Sequence, residues 1–393
     1  MQNTLQFWKS YRKVSFIKPY WGITEFWNGI LYRDVSNNDV LRMLTDKFKR
    51  KFNVSGAIIP TSSGRTALEL ALRVLKKNYP AKRKVMIPTY CCRGVFDPVT
   101  RAGLTPVFAD IDENLNLSKD SVEHRASRDI LAVVVPHIGG CGAGIEQIAL
   151  LAKQYDMVVI EDACQSLGRK SSGFFAGSRY DMSMFSFGLG KNVMATAGGL
   201  LLSNILETDT LKEARNLGEE DASVVKRRFW NFVLRYFLNL GRNIDDCLVS
   251  AYKYNWMHPL DAKLALSQLD RLDEIVHRRR RNAKAIIDTI HKVALNARLQ
   301  QDKDHIYTKL PLIFNDSEEC HELRRTLQGA GVETESMYVP LHLREFAAAY
   351  STGESLPNSE EMYGNVFNVP VRPNLSQREL GRIIRAIESV GRG

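Results

Sequence analysis

An α/β fold, with a mixed, mostly parallel sheet covered by helices and a smaller α/β unit at the carboxyl end, is what this sequence predicts. Two observations point to it. From about residue 40 to 205, short β-branched runs bounded by turn residues alternate with helical stretches, the pattern of strands joined by crossover helices. Beyond a long helical pattern, a second and shorter set of strand-like and helical runs completes the chain.

In order along the chain, "DVLRMLTDKFKRKF" has helical periodicity, with Val40, Leu41, Leu44 and Phe48 as its apolar positions. "GAIIPTSSGRTALELALRVLKK" reads as a strand, a turn of small residues and a helix. "KVMIP", "TPVFADI", "DILAVVVPHI" and "DMVVIEDA" are short β-branched strands, the last entered from the helix "IEQIALLAKQY". From 259 to 292 the leucines at 264, 266, 269 and 272 trace one long helix, with Arg278 to Arg281 expected on its solvated face. "KLPLIFN", "CHELRRTLQGAGV", "VFNVPVR" and "SQRELGRIIRAIESV" then make the small α/β unit. Three motifs, at 62–66, 161–165 and 184–191, follow strand-like runs, where ligands sit on parallel sheets.

The chain has 393 residues, 44% of them hydrophobic and 25% charged, enough for a sizeable core. Its formal charge of +10 suits an anionic partner. The basic residues are spread along the chain with no nucleic-acid module among them, so a nucleic-acid partner is not expected. Six cysteines lack CxxC pairing and zinc-like spacing with histidine, which reads as reduced thiols in a cytoplasmic protein without a metal site. No run reaches the length of a membrane span.

The stretch "MFSFGLGKNVMATAGG", residues 184–199, sets Lys191 among glycines. A phosphate-binding Walker loop would need glycine six residues before the lysine and Ser or Thr after it; Phe185 and Asn192 stand there instead. The second reading is a lysine that condenses with a carbonyl cofactor, and the third a lysine in a solvated turn. Pyridoxal 5'-phosphate would require three further parts, and each has a candidate. Asp162, ending a buried-looking strand, is an acid for the pyridine nitrogen. Gln165 is a polar contact for the ring oxygen. The small and hydroxyl residues of "TSSGRTAL", Ser63 among them, lie immediately ahead of a helix and with Ser186 suit the phosphate.

The stretches "SSGRTAL", "GLTPVFADID", "IEDACQSLG", "FSFGLGKN" followed by "GG", "ALSQLDRLDEI", "MYVPLHL" and "LPNSEEMYGNVFNVPVRP" occur in one order and spacing. From about residue 41 to its end, the chain thereby resembles the DegT/DnrJ/EryC1/StrS sugar aminotransferases, pyridoxal-phosphate enzymes of fold type I. The resemblance implies a cofactor-binding domain over 1–255, with an amino-terminal segment at 1–39 and an atypical helical insertion at about 218–252. A small domain would occupy 256–393. The resemblance makes Lys191 the residue joined to the cofactor and assigns Gly64 and Arg65, with Ser186, to its phosphate. The reaction it implies moves an amino group, with glutamate the expected donor, onto a keto sugar, nucleotide-linked as a rule, for aminosugar or surface polysaccharide synthesis. A homodimer with sites at its interface is implied as well.

The chain departs from the family's pattern at several places. Arg65 stands for the usual Thr, Ala197 for a usual Glu, and Cys92 where an aromatic ring commonly stacks on the cofactor. Asn255, in "YKYNWMHPL", is aligned near the segment that reaches the neighbouring subunit's cofactor phosphate. These departures leave a non-catalytic, regulatory or binding role as the alternative. Within 229–240, Asn231, Arg235 and Asn239 form a narrow polar stripe on an otherwise apolar helix, preceded by Lys226, Arg227 and Arg228. Burial in the protein or a dimer interface is the expectation, and contact with a membrane surface through 226–240 the alternative. His137 is expected to be a satisfied structural histidine, and Cys91, Cys92 and Cys164 small packing residues rather than redox centres.

Overall fold

The computed structural model describes residues 13–31, 37–237 and 253–390. Its described elements are α1 (Ile23–Ile30), α2 (Asn37–Phe52), β1 (Ala57–Thr61), α3 (Gly64–Asn78), β2 (Lys84–Pro88), α4 (Arg93–Arg101), β3 (Thr105–Ala109), α5 (Lys119–Arg125), β4 (Ile130–Pro136), α6 (Ile145–Gln154) and β5 (Val158–Asp162). They continue with the hairpin β6 (Lys170–Ser171) and β7 (Phe174–Phe175), β8 (Met182–Ser186), β9 (Gly199–Ser203), α7 (Glu207–Ala214), α8 (Ala222–Tyr236), α9 (Pro259–Leu269) and α10 (Leu272–Lys292). β10 (Leu310–Ile313), α11 (Ser317–Gly329), β11 (Glu335–Ser336), α12 (Pro357–Glu361), β12 (Val366–Val369) and α13 (Gln377–Val390) follow.

Seven strands form the main sheet in the order β1-β9-β8-β5-β4-β2-β3. β9 runs antiparallel to both of its neighbours, and all the others are parallel to one another. β4 and β5 are buried along their whole length, as a sheet covered on both faces requires. One face packs on α3 and α4 through Leu68, Leu72, Val95 and Val99. The other carries a cluster of Phe48, Phe185, Leu202 and Leu264. Because the six parallel strands share a direction, Thr61, Pro88, Pro136, Asp162 and Ser186 end on the same edge.

The smaller sheet, β10-β12-β11, is antiparallel and packs with α10, α11 and α13 around Phe314, Leu323, Phe367 and Ile383. The expected domain limits meet two departures. α9 lies beyond the proposed boundary at 255 yet packs Leu260, Leu264 and Leu269 into the large-sheet cluster. Val14, expected with the large domain, joins the small cluster and exchanges backbone hydrogen bonds with Gly331 (2.8 Å) and Glu333 (2.9 Å).

The single helix expected over 259–292 is two helices. At the break Lys47 holds Asp270 (2.5 Å) and Glu25 holds Arg271 (2.5 Å), so tertiary ion pairs override the continuous apolar period.

The insertion is described as far as Phe237; Asn239 and the rest of 238–252, where the expected stripe ends, lie outside the described residues. α8 begins earlier than the apolar pattern indicated, capped by Asp221, whose carboxylate accepts from Ser223 N at 2.7 Å. Phe229 and Phe232 stack against Trp21, the latter at 4.6 Å between ring centroids. The expected burial is what this face does. Lys226 and Arg227 are exposed, but Arg228, grouped with them in the sequence, is 5% exposed and lies between two carboxylates. It donates to Asp261 Oδ2 at 2.7 Å, to Glu220 Oε2 at 2.9 Å and to Thr196 Oγ1 at 2.9 Å.

A buried guanidinium stripped of these partners, or the carboxylates stripped of it, would carry uncompensated charge. Arg228→Met is therefore expected to lower the free energy of unfolding by about 3–5 kcal/mol, read from urea denaturation followed by circular dichroism.

Candidate functional site

The site is assembled where β1, β8 and β5 end. Gly199 pairs with Thr61 on one side and Ser186 on the other. A Cβ on it would lie 2.5 Å from Ser63 C and 2.6 Å from Phe185 O, so only glycine lets the chains close at this point. Gly64 is equally crowded: a Cβ would meet Cys164 Sγ at 2.9 Å and Ser186 Cβ at 3.2 Å. The two glycines bring the start of α3 against Ser186.

Ser63 caps α3 by accepting from Thr66 N at 3.2 Å. The N–H groups of Gly64 and Arg65, in the first turn, have no intrahelical acceptor and attract an anion. Asp162, 8% exposed, accepts from Cys164 N at 3.0 Å. Lys191 sits in a turn closed by its N–H to Gly188 O at 3.3 Å. The loop beyond it is pinned by Asn192, which donates to Leu167 O (3.0 Å) and accepts from Thr308 Oγ1 (3.1 Å). The amine of Lys191 has no hydrogen bond or ion pair to a described residue.

A cavity of about 480 Å³ gathers Ser63, Gly64, Arg65, Cys92, Asp162, Gln165, Ser186 and Lys191. Eight of the nine site residues expected from sequence thus line one space, of a size that suits a cofactor. Asn255 does not line it within its own chain. Its Nδ2 donates to Glu219 O at 3.3 Å, and Lys253, two residues earlier, reaches the wall instead. Lys253 also accepts from Ser62 Oγ (2.9 Å) and Thr66 Oγ1 (3.1 Å) through its carbonyl. Sequence reasoning missed it because nothing but a fold-back of this segment brings it to α3.

Both ends of the Gln165 amide are engaged. Oε1 accepts from Gly139 N (3.1 Å) and Nε2 donates to Tyr338 Oη (3.1 Å). Cys92 is on the cavity wall, whereas Tyr90 is fully buried beside Tyr338. Desolvation, reinforced by the charge of Asp162, pushes the Cys164 thiol well above its ordinary range, so it is no thiolate nucleophile. His137 is structural, as expected: its Nδ1 accepts from Ala143 N (2.9 Å), leaving Nε2–H to donate to Glu161 (2.7 Å).

A second cavity, about 290 Å³, opens on the other side of Lys191 and shares Cys92, Gln165, Leu189 and Lys191 with the first. It is bounded by Arg279, Thr308, Lys309, Glu335, Tyr338 and Arg372. Arg279, expected on a solvated face, is 4% exposed and points inward, because Ile275, Ala283 and Ile286 share its side of α10.

Known proteins are similar along nearly the whole chain. The sequence model described as the DegT/DnrJ/EryC1/StrS aminotransferase family matches residues 36–388. GDP-perosamine synthase of Escherichia coli O157:H7 is 26% identical over 354 residues, 90% of each chain. Among solved structures, Helicobacter pylori PseC, an aminotransferase involved in the biosynthesis of pseudoaminic acid, superposes with a TM-score of 0.81 at 15% identity over 97% of this chain and 99% of that one. The aminotransferase TlmJ of Streptoalloteichus hindustanus gives 0.77 at 21% identity over 96% and 98%.

Behind Gln165 stands His305, which buttresses the turn that orients it. Its Nδ1 accepts from Tyr307 N (2.9 Å) and its Nε2 meets Gln300 Oε1 (3.0 Å), while Gln300 holds Ile138 O (3.0 Å). Burial holds the imidazole down at about 3, against an ordinary 6.5, so it stays neutral in the folded chain. Below pH 6.5 the unfolded chain takes up a proton that the folded chain refuses, and stability falls with falling pH. The stability difference between wild type and His305→Gln is expected to shrink by about 2 kcal/mol from pH 7 to pH 5, in denaturant titrations at the two values.

Proposed function

The chain belongs to the DegT/DnrJ/EryC1/StrS aminotransferase family, and from that membership we propose that it moves the amino group of glutamate onto a nucleotide-linked keto sugar. Members of this family are pyridoxal-phosphate-dependent transaminases, and the fold is fold type I. The residues present fit that cofactor. The observation that carries the reading is the meeting of an amine, a buried carboxylate and a helix start in one cavity.

When bound, the cofactor supplies an aldehyde that accepts amines and a ring that withdraws electrons. Asp162 holds a proton at the ring nitrogen, and the ring's positive charge in turn makes the buried carboxylate tolerable. The Gly64 and Arg65 N–H groups, with the hydroxyls of Ser63 and Ser186, bind the phosphate; Arg65 and Lys253 add charge at its edge. Gln165, fixed by Gly139 and Tyr338, would supply the polar contact to the ring oxygen. Lys191 Nζ would serve as the general base that takes the proton from the donor's α-carbon and as the acid that returns one to the sugar carbon. Cys92, on the cavity wall, would offer the cofactor a small apolar contact in place of an aromatic.

Similarity to GDP-perosamine synthase supports the sugar nucleotide as acceptor, and the positive charge of the chain suits it. The chain would act in aminosugar synthesis. A homodimer is proposed, with Asn255 and its neighbours facing the partner's site.

Purified protein given pyridoxal phosphate is expected to develop a near-ultraviolet or visible absorption band. Glutamate should bleach it, and a nucleotide-linked keto sugar should restore it. Lys191→Ala should lose the band and turn over at least about 10²-fold more slowly. A band that forms in Lys191→Ala as in wild type, or one that glutamate leaves untouched, would refute the reading.

A further inference from the structure

Four arginines, Arg278 to Arg281, follow one another on α10, and three are accounted for at or near the surface. Arg278 pairs with Glu274 (2.8 Å), Arg280 donates to the carbonyls of His305 (2.9 Å) and Asp304 (3.0 Å), and Arg281 is exposed. Arg279 differs. Its Nη1 donates to Thr308 O at 3.1 Å, its Nε is buried without a partner, and among the described residues no carboxylate pairs with it. Burial alone draws its pKa down to about 10, which leaves it charged at neutral pH. A whole positive charge therefore lies in the interior with one neutral acceptor, an arrangement that costs free energy until an anion arrives.

The space that can admit such an anion is the cavity of about 290 Å³ that Arg279 lines. Two other cations on its wall have counter-charges of their own. Lys309 holds Glu335 at 2.5 Å and Arg372 holds Glu379 at 2.5 Å. What remains is net positive, from Arg279 and the exposed Lys18 at the rim. With Nη1 on Thr308 and Nε without a partner, the guanidinium keeps N–H donors to spare, and paired guanidinium N–H groups match the two oxygens of a carboxylate. The volume lies just below the range for drug-sized ligands, ~300–1,000 Å³, and suits a single amino acid rather than a nucleotide sugar. It adjoins Lys191, the base assigned to the donor's α-carbon.

We propose that Arg279 is the seat for a carboxylate of the amino-acid donor, which enters the second cavity and presents its amine toward Lys191. The assignment rests on the aminotransferase reading. It makes α10 a specificity element: donors are chosen by an anion held behind the lysine, and the larger cavity is left to the cofactor and the sugar.

The test uses protein saturated with pyridoxal phosphate and the non-reacting dicarboxylate glutarate, titrated calorimetrically. Wild type is expected to bind glutarate, and Arg279→Met to bind it at least tenfold more weakly. In stopped-flow half-reactions, the ratio of the apparent dissociation constants of glutamate and the keto sugar should rise at least tenfold in the variant. A structural arginine would instead lower the melting temperature and weaken both substrates alike, and that result overturns the proposal. Should Arg279→Met not fold, Arg279→Lys decides: it keeps the charge but loses the two-donor edge, so glutarate should bind three- to tenfold more weakly. Unchanged affinity, or no glutarate binding to wild type, overturns the seat while transamination by wild type leaves the enzyme reading intact. Arg279-dependent glutarate binding in a protein that does not transaminate would do the reverse, sustaining the seat and removing the reaction.

Discussion

The close pass of three backbones at Gly199 is the constraint on which the site depends. β9 runs antiparallel between β1 and β8, so the turn after β1 and the last residue of β8 face each other across a single residue. With no side chain there, Ser63 and Ser186 line one cavity, and the start of α3 borders the same space that Asp162 enters from β5. A methyl group would strike backbone on both sides, and backbone cannot swing away as a side chain tip can. The same packing leaves Lys191 on a loop whose ends are tied by Asn192 and by Gly198 N to Ser62 O at 2.9 Å. An unpartnered amine is thus delivered by a rigid surround.

A second constraint is electrostatic. Asp261 collects the N–H groups of Thr196 and Ala197, both at 3.1 Å, together with the Arg228 guanidinium. The carboxylate stiffens the segment just ahead of Gly198 and Gly199, and Arg228 on α8 neutralises it. α8 therefore reaches the site both through charge and through Phe232, which stacks on Trp21 and lines the cavity. A family pattern with Ala197 in place of an acid is compatible with this geometry, because the backbone at 197 already has a carboxylate, from Asp261, bound to it.

How much of this was legible in the sequence depended on how local each cause is. The strands β1 to β5, the α3 start and the motifs around Asp162, Ser186 and Lys191 were readable, since each is written in a short run with its own period or punctuation. The join between α9 and α10 was not, for leucines continue through it and the ion pairs that break it come from Lys47 and Glu25, over 220 residues away. Arg228 was grouped with Lys226 and Arg227 by adjacency, whereas a helix sends neighbours about 100° apart. Only the third meets carboxylates. Lys253 and the engaged ends of Gln165 depend on chain fold-back, which no window of sequence contains.

The same geometry bears on how, in the proposed reaction, one lysine would serve two substrates. Four residues, Lys191 among them, belong to both cavities. The larger holds the hydroxyls and the helix start, groups that suit a phosphate; the smaller holds paired ions and one unpaired guanidinium. Their polarity therefore differs although they meet at one amine. A ligand whose negative charge sits two or three bonds from its amine is drawn to the smaller side. One carrying its charge on a distant diphosphate cannot place that charge there while its reacting carbon is at Lys191. On the proposed assignment the discrimination would need no moving part: the distance between charge and reacting carbon in each substrate would decide which wall holds it.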